Sequence, residues 1–195
     1  MTDVSSPPIR ILGLAGSLRR ESLNRAALRA AQELAAPDAV VEIFELDGIP
    51  LYNDDLWSAP PRRVLELKDA AWAADAILFV TPEYNYSVSG VLKNAIDWAS
   101  RPQGDSAWQG KPAAVMGVSP GAIGTGRAQY HLRQCFVFLE MPALNQPEVL
   151  ITHAAQKFDA QLRLVHDPTR ARIRALIVAL CDLTRRMSPT PALTS

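Results

Sequence analysis

The sequence predicts an α/β fold, a doubly wound parallel sheet of five strands with helices on both faces, and three observations carry that expectation. Short apolar runs alternate with segments of helical period from one end of the chain to the other. The runs are continuously apolar, as strands covered on both faces are. No glycine- or serine-rich linker breaks the alternation. Parallel strands joined through helices bury all of these apolar surfaces at once.

Each element follows in order. Ile9–Ala15 reads as a buried strand, and an alanine-rich helix spans residues 24–35. Residues 40–46 make the second strand after the Pro37-Asp38 turn. Pro60-Pro61 opens a helix to residue 74, with Val64, Leu67 and Ala71 at helical spacing. Residues 76–81 form a strand cut off by Pro82. Leu92, Ala95, Ile96 and Ala99 stripe a helix over 89–100. A fourth strand over 112–118, a helix over 127–140 and a short fifth strand over 148–151 come next. The last helix, 169–186, buries Ile173, Leu176, Ile177, Leu180 and Leu183 and ends on Arg185-Arg186, where its dipole favours cations. A single domain over 9–187 with flexible tails at 1–8 and 188–195 is the expected organisation.

Composition narrows the function classes. Twenty basic and twenty acidic side chains cancel, so no net field recruits nucleic acid or an anionic membrane. Neither Cys135 nor Cys181 has a C-x-x-C partner, which argues against a metal or disulfide framework. Residues 1–8 lack an apolar signal core, and no run approaches the roughly 20 apolar residues of a membrane span. A soluble cytoplasmic protein is expected. His131, His153 and His166 share no ligand spacing, and Ser119, His131 and Asp97 fall in different elements without a nucleophile-elbow pattern, so neither a metal site nor a triad is read from them.

Ligands of doubly wound sheets bind beyond the carboxyl ends of the strands, where the winding reverses. Three loops there are unusual. The first, Gly16-Ser17-Leu18-Arg19-Arg20-Glu21-Ser22-Leu23-Asn24, leads from a strand into a helix and offers backbone N–H groups, hydroxyls and the Arg19 fork to a phosphate. It matches neither G-x-G-x-x-G nor the Walker pattern, which disfavours triphosphate hydrolysis and suits one terminal phosphate. The second, Thr81 to Gly90, sets the aromatic rings of Tyr84 and Tyr86 beside Asn85. The third, Ser119 to Gly126, has three glycines that let backbone approach a flat ligand. Singly, each loop has a plainer reading: Ser22 and Asn24 as helix caps, Pro-Glu-Tyr-Asn as an ordinary turn, the glycines as a connection. Their coincidence at three strand ends points to a mononucleotide.

These residues closely resemble the NADPH-dependent FMN reductase family. The resemblance rests on the first loop and on Pro82-Glu83-Tyr84-Asn85-Tyr86-Ser87-Val88 with Leu92-Lys93-Asn94-Ala95-Ile96-Asp97-Trp98. Residues 127–134 bring it nearest to the bacterial quinone and chromate reductases. It implies a flavodoxin-like sheet of order 2-1-3-4-5, non-covalent FMN, and NADPH or NADH as electron donor. Two electrons would pass by a ping-pong mechanism to small-molecule acceptors: quinones, chromate or azo compounds. Carried over by position, Ser17, Leu18, Arg19, Ser22 and Asn24 hold the phosphate end, Pro82, Glu83, Tyr84 and Asn85 border the isoalloxazine, and Ser119 and Gly121 lie at its other edge. The flavin carries the chemistry, so no catalytic residue is assigned. A homodimer or homotetramer is implied, with Arg127, Tyr130 and Glu148 as its polar contacts and Tyr130, Phe136, Phe138 and Leu139 as apolar surface. Two departures stand out: Ser89, where relatives often carry Pro, is expected to loosen the next helix, and Thr125, often Gly, to narrow the acceptor site. The alternatives are a flavodoxin-like electron carrier and a reductase supplying free reduced FMN to a monooxygenase.

Overall fold

The computed structural model describes residues 7–187; the expected tails lie outside these residues except for Pro7 and Pro8. In chain order the strands are β1 (Ile9–Ala15), β2 (Ala39–Phe44), β3 (Ala76–Val80), β4 (Glu83–Tyr84), β5 (Ser87–Val88), β6 (Ala113–Val118) and β7 (Val149–Ile151). Five of them form a parallel sheet in the order β2-β1-β3-β6-β7, which is 2-1-3-4-5 counted along that sheet. β4 and β5 form a separate antiparallel hairpin that the sequence pattern showed only as a turn. Successive side chains of a strand point to opposite faces, so each run feeds two cores. Ile11, Leu78 and Val80 enter one; Leu12, Leu14, Ile77 and Phe79 enter the other.

The helices are α1 (Leu23–Leu34), α2 (Arg62–Ala73), α3 (Gly90–Ala99), α4 (Gly126–Phe138) and α5 (Asp167–Met187). α1 and α5 cover the first face with Ala27, Leu28, Ile173, Ile177 and Leu180. α2, α3 and α4 cover the second with Leu67, Leu92, Ile96, Leu132 and Phe136, and Trp108 joins them from a loop. α1 leaves the end of β1 towards one face while α3 leaves the end of β3 towards the other. The crevice between those two neighbouring strands is therefore the switch point of the winding.

Two boundaries differ from expectation. β2 stops at Phe44, and Leu46 drops from the sheet into the second core. α4 ends at Phe138, and Glu140 takes a left-handed φ of 54° that breaks the helix. The apolar residues at the end of α4 divide between two sides: Phe136 and Leu139 are buried, while Val137 and Phe138 stand 81% and 77% exposed. Trp98 and Trp108 are core residues, whereas Trp72 is partly exposed beside the Lys68 ammonium, 5.0 Å from its ring centre.

Candidate flavin site

The loops after β1 and β3 abut so closely that only glycine fits between them. A Cβ on Gly16 would fall 2.6 Å from Ser89 Oγ and 3.2 Å from Pro82 Cδ. The Gly16 N–H donates to the Val80 carbonyl at 2.9 Å, which fixes the turn. Beyond it Ser17 is buried, Leu18 is half exposed, and the chain enters α1 through Ser22. Ser22 is a true N-cap: its Oγ accepts from Arg25 N at 3.3 Å. Arg25 braces the loop from behind, donating to the Arg19 carbonyl and pairing with Glu45 at 2.7 Å. Asn24 is buried and spends its amide on the backbone of β6: Nδ2 donates to Val118 O at 3.1 Å and Oδ1 accepts from Val118 N at 2.9 Å. That contact ties the first loop to the third. Among the described residues, no acceptor engages the Arg19 guanidinium and no group pairs with the Ser17 hydroxyl.

The second loop is the β4–β5 hairpin. Its two turn residues, Asn85 and Tyr86, both take positive φ (50° and 67°), as a two-residue type I′ turn requires. Asparagine tolerates that conformation; a tyrosine there is unusual, and it is held in place from below. The Arg127 guanidinium stacks on the Tyr86 ring, 3.6 Å from its centre. The same guanidinium pairs with Glu83, whose carboxylate also accepts from Arg127 N at 3.0 Å and Ala128 N at 3.2 Å. Glu83 is thus the cap of α4, a buried anion on free N–H groups at a positive dipole end. Ser87 Oγ adds a 3.0 Å hydrogen bond to His131 Nδ1 of α4.

The third loop starts at Ser119, whose Oγ accepts from Gly121 N at 3.1 Å. Thr125 does not reach the surface of the site. It is buried at a left-handed φ of 70°, its Oγ1 accepts from Gln129 Nε2 at 3.1 Å, and it packs over Gly117, where a Cβ would meet that oxygen at 2.1 Å. The expected narrowing is therefore absent, because the side chain turns under the loop. Ser89 likewise does not loosen α3: it is buried and caps the helix, its Oγ accepting from Leu92 N.

Between the three loops lies a cavity of about 420 Å³, in the range of small-molecule sites. Ser17, Arg19, Ser22 and Asn24 line one part, Pro82, Glu83 and Tyr84 another, and Ser119 a third. Leu18, Asn85 and Gly121 do not line it: Leu18 points outward, Asn85 makes the turn, and Gly121 supports Ser119. Glu21, Leu23, Val118, Pro120 and Leu162 line it without having been expected. Of these, Leu162 had no sequence signal, because it sits far downstream in a loop of mixed composition. Arg127, Tyr130 and Glu148 lie outside the cavity; Tyr130 Oη donates to Glu148 Oε1 at 3.1 Å within the chain. No helix among the described residues is long and apolar enough to cross a membrane, and no group of three metal-ligating side chains occurs among them.

A doubly wound sheet with an anion-suited helix start and a tyrosine hairpin at its switch point defines a flavodoxin-like mononucleotide-binding protein. The chain belongs to the NADPH-dependent FMN reductase family, which it matches over residues 9–156. It is 51% identical over 183 residues to an NAD(P)H-dependent FMN reductase of Pseudomonas aeruginosa, covering 93% of this chain and 98% of the relative. A quinone reductase of Pseudomonas putida is 49% identical over 163 residues, 83% of this chain and 87% of the relative. Among solved structures, the flavoenzyme NAD(P)H:(acceptor) oxidoreductase FerB of Paracoccus denitrificans superposes with a TM-score of 0.84 at 38% identity, covering 92% and 98% of the two chains.

Proposed function

We propose that this protein is an NAD(P)H-dependent FMN enzyme that passes two electrons from a reduced nicotinamide to a small-molecule acceptor, quinones first among them. The observation that carries the reading is the cavity itself, with an Arg19 guanidinium and a Ser17 hydroxyl that have no partner among the described residues at the start of a helix, and a tyrosine hairpin bordering the same space. FMN held there would supply the two-electron redox chemistry between the nicotinamide and the acceptor. The protein binds and orients. Arg19, Ser17 and the α1 N-terminus suit the phosphate. Ser22 supports them as the cap, and Asn24 holds the first and third loops at a fixed separation. Tyr84, half exposed at the cavity, offers the ring face. Glu83 contributes through the backbone it positions, since Arg127 and the α4 N–H groups already occupy its carboxylate. Donor and acceptor would use the site in turn, giving ping-pong kinetics, with chromate and azo compounds as further acceptors to test.

The same reading includes a homodimer or homotetramer built on the exposed α4 residues Tyr130, Val137 and Phe138, and a cytoplasmic location consistent with free Cys135 and Cys181. A native mass spectrum with only monomer overturns the assembly. The test of function is the anaerobic visible spectrum of the purified protein before and after one equivalent of NADPH. A bound flavin that bleaches at once supports the enzyme. A protein that neither carries FMN nor takes it up overturns it. Flavin lost during purification but accepted as substrate favours the free-FMN reductase, and flavin that NADPH leaves oxidised favours the electron carrier.

A further inference from the structure

The segment between β7 and α5 lies largely beyond the family match, yet it supplies one wall of the cavity through Leu162. Residues 157–165 fold into a narrow hairpin: Val165 N donates to Lys157 O at 2.9 Å, Asp159 N to Arg163 O at 3.0 Å, and Leu162 N to Asp159 O at 2.9 Å. Two apolar side chains anchor its base, Leu164 buried in the first core and Phe158 packed against it. The Asp159 carboxylate locks its tip, accepting from Gln161 N at 3.0 Å, Arg163 N at 2.8 Å and Arg163 Nε at 2.7 Å. Leu162 sits at that tip with φ +59°. A γ-branched side chain in the left-handed region is strained, and glycine or asparagine takes such a turn without that cost. The hairpin therefore places the half-buried Leu162 on the lining of the cavity that Ser17, Arg19, Ser22 and Asn24 also line.

We propose that Leu162 is a flavin-retention residue, an apolar wall on a rigid hairpin that covers bound FMN and slows its escape. The inference rests on the FMN reading above. It makes FMN a resident cofactor of this chain rather than a substrate that comes and goes. The backbone strain at Leu162 persists because the locked hairpin over-determines it, and the contact with the ligand is what the leucine provides. Asp159 acts at one remove, as a positioning residue.

Two variants separate the strain from the contact. Leu162→Gly removes both; Leu162→Ala removes the contact and keeps the strain. Apoprotein of each is titrated with FMN by flavin fluorescence quenching, and its thermal unfolding is followed without FMN. The expected result is an FMN Kd raised about tenfold to a hundredfold in both variants, the worth of a leucine side chain lost from a buried contact. The Leu162→Gly apoprotein melts above Leu162→Ala, the order that relief of a left-handed φ predicts. An FMN Kd within threefold of the parent protein in both variants overturns the assignment while leaving the FMN reading intact. Failure of the parent protein itself to bind FMN overturns that reading instead.

Discussion

Replacing Glu83 by alanine removes one buried carboxylate and three partners at once. The α4 N-terminus loses the acceptor for Arg127 N and Ala128 N, at 3.0 and 3.2 Å, and the Arg127 guanidinium loses its anion. Hydrogen bonds to a charged group contribute about 1.5–3 kcal/mol each, and a lost helix cap costs about 1 kcal/mol. The Glu83 side chain is only 8% exposed, but that of Arg127 is 36% exposed, so water compensates part of the loss. These offsets leave a destabilisation of about 3 kcal/mol, which lowers Tm by about 6–12 °C in a chain of this size. Glu83→Gln keeps one oxygen for the α4 N–H groups and loses roughly half as much. Urea unfolding of the apoprotein, followed by far-ultraviolet circular dichroism, reads both variants. A Glu83→Ala loss below about 0.5 kcal/mol would refute the capping argument, because three orphaned donors do not come free.

Further outcomes follow from the same contacts. Arg19→Ala weakens FMN binding by about 2–3 kcal/mol, the worth of a charge-assisted hydrogen bond, with little change in apoprotein Tm because the guanidinium has no partner within the described chain; equal FMN affinity in a titration refutes the phosphate role. Asn24→Ala orphans the Val118 N–H and C=O and destabilises the apoprotein by about 2–4 kcal/mol, read by urea unfolding; a neutral result refutes the bracing role. The backbone N–H of Arg163 foremost, then its side chain, holds the Asp159 carboxyl below its usual value. A carboxylate whose folded pKa is depressed stabilises above the unfolded value and loses that contribution as pH falls through the folded one. The Asp159 contribution to the folded hairpin is therefore fully present above about pH 4 and is lost as pH falls below it. Asp159→Asn weakens FMN retention at pH 7 and flattens the part of the acid loss of apoprotein stability that Asp159 causes; an unaltered stability profile with pH in urea unfolding counts against the lock.

The succession of strands and helices along the chain and the three loops at the carboxyl ends were legible because their signals are local, whereas the order of strands across the sheet came only from the family resemblance. An apolar run bounded by Gly16 or Pro82 announces a strand end within a few residues, and Val64, Leu67 and Ala71 announce a buried helical face by spacing alone. The β4–β5 hairpin was not legible as one: it has two residues per strand, too few for an alternation to appear. Ser89 and Thr125 were misread for a related reason. Whether a hydroxyl caps a helix, packs under a loop or faces a ligand depends on direction, and a sequence carries no direction.

The sequence by itself determined that the chain builds a doubly wound sheet with a phosphate-suited loop, since periodicity and glycine placement are properties of neighbours along the chain. Only the tertiary structure decided which side chains serve the cavity and which serve its walls. Asn24 meets Val118 across 94 residues, and Glu83 meets Arg127 across 44. Leu162 arrives at the cavity from beyond the last strand. No local pattern encodes such meetings, because they exist only after hydrophobic burial has brought the strand ends together.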